Sequence, residues 1–226
     1  MRRYLFVILL GIPGLAVLLG LGVWQMQRLD WKQDILAEME SRIAARPVEL
    51  PMNPSEDMDE YLAVRLTGTP TGDELHVLSS GTAAGTGYRV ISAWHTDMGR
   101  RIMVDMGIMP LDRKRLNPDI VTQNITGNLL WPNDAADKSP APDLENNLWF
   151  ARDAAAMAEV LQAEPFMVVL RDSDNPDRRI TMVPVDTSNI KNDHREYAIT
   201  WFLLALVWAA MTGYFVYRSN KAGQKD

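Results

Sequence analysis

The sequence predicts an α+β membrane protein in which two transmembrane helices, one near each end, flank a mainly antiparallel β domain with one or two helices. Three observations predict it. Tyr4–Val23 and Tyr197–Tyr217 run without a charged residue, and each is about the 20 apolar positions that a helix needs to cross a bilayer core. Between them the longest apolar stretches, such as Phe166–Leu170, have only the length of a strand. From Tyr61 onward the apolar residues recur at every second position, the period of a strand with one buried face. The expected organisation is a span at 4–23, a domain at 24–196, a span at 197–217 and a tail at 218–226.

The orientation of the spans follows from the basic residues at their ends. Arg2 and Arg3 precede the first span, and Arg218, Lys221 and Lys225 follow the second, so both termini read as cytoplasmic and the domain as exported. Arg28 and Lys32 weaken the bias on the far flank of the first span, but an even number of spans makes the two ends agree. A cleaved signal peptide begins in a similar way, yet this apolar run is too long for one and Leu21–Gln25 is a poor cleavage site. No Arg- and Ser-rich transit segment precedes the run, which favours a bacterial inner membrane over a mitochondrial one. Gly11, Gly14, Gly20 and Gly22 would permit close helix packing, and Pro13 marks a kink.

After the first span, Trp31, Ile35, Met39 and Ile43 recur at intervals of four with charges between them, so Asp30–Arg46 reads as an amphipathic helix continuing or bending out of the membrane. Pro47, Pro51 and Pro54 end it in an extended linker. Leu62, Val64 and Leu66 alternate with Ala63, Arg65 and Thr67 in a first strand. Glu74–Ser80, Gly87–Thr96 and Arg100–Met109 follow as strands, with Asp97-Met98-Gly99 as a hairpin turn between the last two. Ile120–Leu130 is a further strand and Trp131–Asn147, rich in Pro, Asp and Asn, a loop. Asp153 is placed to cap an Ala-rich helix at Ala154–Gln162. Phe166–Arg171 and Arg179–Pro184 complete the domain as strands.

Composition narrows the function. The chain carries a net charge of −6, and its basic excess is confined to the terminal flanks, so the domain is strongly acidic and nucleic acid is excluded as a partner. Cysteine is absent, which removes disulfides, thiolate metal sites, a cysteine nucleophile and covalent haem attachment through thiols. A domain of this size buries its own core without such staples. Among the three histidines no H-E-x-x-H pairing exists. His76 and His95 read as ordinary strand residues. Asp172, Asp174 and Asp177 alternate faintly like calcium ligands, but the glycine and terminal glutamate of an EF-hand loop are missing. Asp57-Met58-Asp59-Glu60 reads as a solvated loop. The turns Ser79-Ser80-Gly81 and Gly85-Thr86-Gly87 match neither a nucleophile elbow nor a phosphate loop. With no catalytic constellation, the chain reads as a non-enzyme.

His194 differs by its place, three residues before the second apolar run. On a helix, Tyr197, Ala198 and Trp201 share its face, and an imidazole above an aromatic, apolar face offers what a haem iron and macrocycle need. The alternative is that His194, Tyr197 and Trp201 are interfacial belt residues that bind nothing. Trp24, Gln25, Arg28 and Trp31 end the first span on the same side of the membrane. There Arg28 and Arg195 are placed either to receive propionates or to anchor the helices by snorkelling.

Laid end to end, LGVWQMQRLDWK (Leu21–Lys32), EYLAVRLTGT (Glu60–Thr69), GYRVISAW (Gly87–Trp94), GRRIMVDMGIMP (Gly99–Pro110) followed by Arg113, and NDHREYAITWF (Asn192–Phe202) resemble the surfeit locus protein 1 family, the assembly factors of haem-a-containing cytochrome c oxidase. The resemblance implies binding of haem a and help in its insertion into oxidase subunit I, with haem a synthase and membrane lipid as further partners. It implies that His194 ligates the haem iron, with Trp201 nearby; Tyr197, Arg195, Trp24 and Arg28, placed there by spacing and topology, complete the expected cofactor site. The rival reading is a haem-free scaffold that stabilises an oxidase assembly intermediate. The chain departs from the family pattern at Ile108, where a tryptophan is usual, and at Arg195-Glu196, where the family commonly has Leu-Gln, so the rim of the site is more polar.

Overall fold

A computed structural model describes residues 5, 7–82, 84–111, 119–135, 139–188 and 190–222. Arg2, Arg3, Tyr4, Arg113 and Lys225 lie outside the described residues. The chain divides into two compact units, a helical one from residues 1–38 and 187–226, and a β-rich one from residues 39–186.

The β-rich unit is one sheet closed on itself. Its strands are β1 (Val48–Glu49), β2 (Ala63–Thr82), β3 (Gly85–Thr96), β4 (Arg101–Pro110), β5 (Gln123–Leu130) and β6 (Met167–Ser173). They are ordered β1-β2-β3-β4-β6-β5, and β5 returns to pair with β2. Closure depends on β2, which the alternation pattern presents as two strands and which is one. Its first half, Ala63–Gly68, runs antiparallel to β5 from Asn128 to Gln123, while its second half pairs with β3. The register shifts between Pro70 and Glu74, and Gly72 takes φ +96 there. An irregularity of this kind bends a strand enough to serve two neighbours. The β4–β6 pairing is parallel, Met103 to Met167 through Asp105 to Val169.

Alternation along the strands makes two cores. Val64, Leu66, Val90, Trp94, Ile102, Val104, Ile125, Leu129 and Val168 form one buried cluster. The intervening residues Leu75, Val77, Ile91, Ala93, Met103 and Met167 form another with Trp149 and with Met157, Ala158 and Leu161 of the covering helix. That helix, Ala154–Leu161, starts where expected, with the Asp153 carboxylate accepting from the Ala156 N–H at 3.0 Å. The β3–β4 hairpin also turns where expected. The Gly99 N–H donates to Thr96 O at 3.0 Å and Gly99 adopts φ +76.

Three expectations are corrected. Arg179–Pro184 is no strand but a single bridge, Thr181 to Ile108: in that register Pro110, opposite Arg179, has no N–H to give, and on the other side β4 is irregular between Asp105 and Gly107. Asp57–Asp59 belongs to a helical turn, Glu56–Asp59, with Ser55 at the cap position before it and Glu60 at the one after it, whose acidic residues Glu56, Asp57 and Asp59 suit a helix start. The linker after Pro47 contains β1, which pairs parallel to Val64 and Arg65.

One buried charge cluster is not visible in the alternation. Asp105 has a fully buried side chain and receives Arg89 Nη1 at 2.6 Å, with Arg152 Nη1 at 3.6 Å. Arg152 Nε in turn donates to Asp134 at 2.6 Å. At the hairpin end, Arg100 grips Glu164 through two bonds of 2.8 and 2.7 Å and donates to Pro51 O. The hydrogen bonding to Glu164 raises the guanidinium pKa above its ordinary value, against the opposing effect of desolvation.

In the helical unit, the amphipathic segment continues the first span without a break as one helix, Ile12–Ala44, after a π-helical turn at Val7–Gly11. Pro13 lacks the N–H that would close the preceding turn regularly, and the widening lies there. The second helix is His194–Ala222. Both are long and apolar enough to cross a membrane, and residues such as Ile8, Leu9, Leu206 and Met211 are about two-thirds exposed. Two such helices are compatible with a membrane protein.

Candidate functional site

The helices of this unit run antiparallel along a seam of small residues. Gly11, Gly22, Gln25 and Leu29 are buried on the first, and Leu15 and Leu18 half-buried between them. Ala198 and Ala205 are buried on the second, alternating with half-buried His194, Trp201, Trp208 and Thr212. Steps of three and four keep one stripe of each helix facing its partner. Glycine lets the backbones approach. A Cβ on Gly14 would lie 2.8 Å from the Trp208 ring, and one on Gly22 would lie 2.6 Å from the Phe202 ring. The Trp208 indole N–H also donates to Gly11 O at 2.9 Å. Gly20 has nothing within 4 Å of where its Cβ would be, so its expected packing role is corrected: it lies off the stripe.

The seam ends at His194. The preceding segment is tied to the first helix by Lys32 Nζ, which donates to Lys191 O, and the helix opens with the Tyr197 N–H donating to Asp193 O at 3.1 Å. His194 thereby comes beside Gln25, with Nδ1 2.8 Å from Oε1. Gln25 is 9% exposed. An amide oxygen only accepts, so Nδ1 carries a hydrogen in this bond, and in the neutral imidazole that leaves the lone pair on Nε2. Nε2 has no hydrogen-bond partner among the described residues. The arrangement offers one oriented imidazole nitrogen at the end of an apolar seam.

The other sequence-predicted residues are placed around it unequally. Trp201 shares the seam with His194, two turns along the helix. Tyr197 is 57% exposed, and Arg195 is exposed with no ion pair among the described residues. Trp24 is exposed on a different face of the first helix from Gly22, Gln25 and Leu29. The Arg28 guanidinium lies on that face too, 3.7 Å over the Trp31 ring. So His194 and Trp201 lie along the seam, while Arg28 is engaged by Trp31. His76 and His95 have structural partners instead: His76 Nε2 is 3.1 Å from Glu74 Oε1, and His95 Nε2 is 3.5 Å from Arg101 Nη1. Asp174 is bonded to Asn124, and Asp177 to Arg179.

Gln25 stands in the sequence among the residues that end the first span, but without a role of its own. Its signal was present: a polar side chain continuing the Gly22-to-Leu29 stripe at the end of an apolar run.

The profile of the SURF1 family matches residues 14–206 of this chain, which takes in nearly all of the first helix, the whole sheet and the first part of the second helix. Surfeit locus protein 1 of Homo sapiens is 30% identical, over 96% of this chain and 77% of that protein. Surfeit locus protein 1 of Rattus norvegicus is 31% identical over 93% and 74% respectively. The SURF1-like protein of Rickettsia felis is 28% identical over 91% of this chain and 93% of its own length.

Proposed function

The chain belongs to the SURF1 family, and from that premise we propose that it is an assembly factor for haem-a-containing cytochrome c oxidase that carries haem a and aids its insertion into subunit I. The observation that carries the haem reading is the unpartnered Nε2 of His194, oriented through Nδ1 by Gln25. The residues present fit such a cargo. His194 supplies an axial nitrogen, Tyr197 and Trp201 aromatic surface on its own helix, and Arg195 a cation for a propionate; Trp24 and Arg28, on another face of the first helix, are left out of this set. Haem iron takes a neutral imidazole as axial ligand, and one protein ligand suits a cargo that must be released. The reaction is ligation and release, with no bond made or broken in the macrocycle. Haem a synthase is the proposed supplier, and the bacterial inner membrane the location. Both termini lie on the cytoplasmic side, on the argument of Arg218 and Lys221 beyond the second span.

The test is loading of the detergent-solubilised full chain with haem a. The parent is expected to give a Soret band shifted from that of free haem a, and His194→Ala to lose it. Equal binding by His194→Ala would end the ligand reading and leave the haem-free scaffold in its place.

A further inference from the structure

We infer that Gln25 is the positioning residue of this site: its side-chain oxygen selects the Nδ1–H form of His194 and so makes Nε2 the ligating atom. The inference rests on the haem reading above and adds to it the residue that sets the strength of the ligand.

The chemistry follows from what Gln25 is and where it stands. Its side chain is 9% exposed, on the stripe of the first helix between Gly22 and Leu29, and the bond to His194 is the only one that either side chain makes among the described residues. Burial of a polar amide on an apolar seam is unfavourable unless it is hydrogen-bonded, so the pair holds together. The packing around it fixes the register: Gly22 admits the Phe202 ring one turn before Gln25, and Lys32 holds Lys191 O two turns after it. The imidazole ring therefore has a set orientation before any cargo arrives.

An amide is also a particular choice of acceptor. Histidines that ligate metals commonly donate their second N–H to a carboxylate, a backbone carbonyl or water, and the partner tunes the basicity of the ligating nitrogen. A carboxylate partner pulls on the Nδ1 proton and makes Nε2 a stronger donor. The neutral Gln25 oxygen orients the ring with less of this push, which suits a carrier that has to give its haem up.

Two measurements decide it. In the ligand-free full chain labelled with ¹⁵N-histidine, the His194 resonances, assigned by their loss in His194→Ala, are expected to report a protonated Nδ1 and an unprotonated Nε2, with that preference lost in Gln25→Leu. With haem a bound, Gln25→Leu should weaken binding by about 10–100-fold. Gln25→Glu should restore tight binding, slow haem release and lower the reduction potential below that of the parent. A parent His194 protonated at Nε2 would overturn the inference. So would Gln25→Leu and Gln25→Glu proteins with the affinity and potential of the parent, in a background where His194→Ala has lost haem; that result sinks the role of Gln25 and leaves the carrier standing. Failure of the parent itself to bind haem a sinks both.

Discussion

Asp105 shows how a single side chain can hold a sheet that packs on both faces. It lies on β4, whose residues from Ile102 to Met109 are all buried, and its carboxylate is compensated by Arg89 and, at longer range, by Arg152. Removing one partner of a buried ion pair is far costlier than replacing the pair, because the remaining charge is left without its counterpart. Asp105→Leu should therefore lower stability by about 3–5 kcal/mol, while Asp105→Leu combined with Arg89→Met should recover a large part of the loss. Thermal unfolding of the three proteins in the same detergent measures this, and a double variant no better than the single one would refute the account. The cluster could not be read from the sequence, because an acidic residue among apolar ones marks an exposed face when only one face is buried. His194 was legible for the opposite reason. Its position at the start of a charge-free run of helical length singles it out without knowledge of any partner. Gln25 required the register of two helices 169 residues apart in the chain, which no local pattern supplies.

At the scale of elements, the period-two stretches gave most of the strands because their side chains alternate between two buried surfaces. The pattern failed where geometry departs from the period. The irregularity at Pro70–Glu74 breaks the alternation without ending β2, so one strand looked like two. At Arg179–Pro184 an alternating segment makes one bridge and no ladder. The Gly107 backbone, at φ +112, is pressed against Thr181 O, which would lie 2.2 Å from an added Cβ. Helix packing poses the same question of glycine position and gives a sharper test. Gly14 faces the Trp208 ring, which its indole bond to Gly11 O holds in place, whereas Gly20 faces open space. Overpacking a tight contact typically costs about 1–3 kcal/mol, so Gly14→Ala should lower the unfolding midpoint of the full chain, whereas Gly20→Ala, in open space on a helix, should leave it unchanged or raise it. Equal effects of the two would mean that the glycine seam does not hold the pair.

At the scale of the whole molecule, the two units solve different problems of exposure. In the β-rich unit, closure of the sheet through β2 and β5 removes most of the free strand edges that an open sheet would present, and both of its clusters are buried within the unit. The helical unit does the reverse. Outside its narrow seam it presents leucine, isoleucine, valine and aromatic side chains around both helices, a surface that water does not tolerate over this length and a bilayer does. If the helices span, the basic residues after the second one assign the sides, and the chain offers an unusually clean way to test the assignment because it contains no cysteine. Met98, 62% exposed in the β3–β4 turn, and Asn220, exposed near the end of the second helix, each accept a single cysteine without disturbing a packed contact. A membrane-impermeant maleimide applied to spheroplasts is expected to label Met98→Cys at once and Asn220→Cys only after permeabilisation. The reverse pattern would invert the orientation and put His194 on the cytoplasmic side, and labelling of both positions before permeabilisation would contradict a spanning pair.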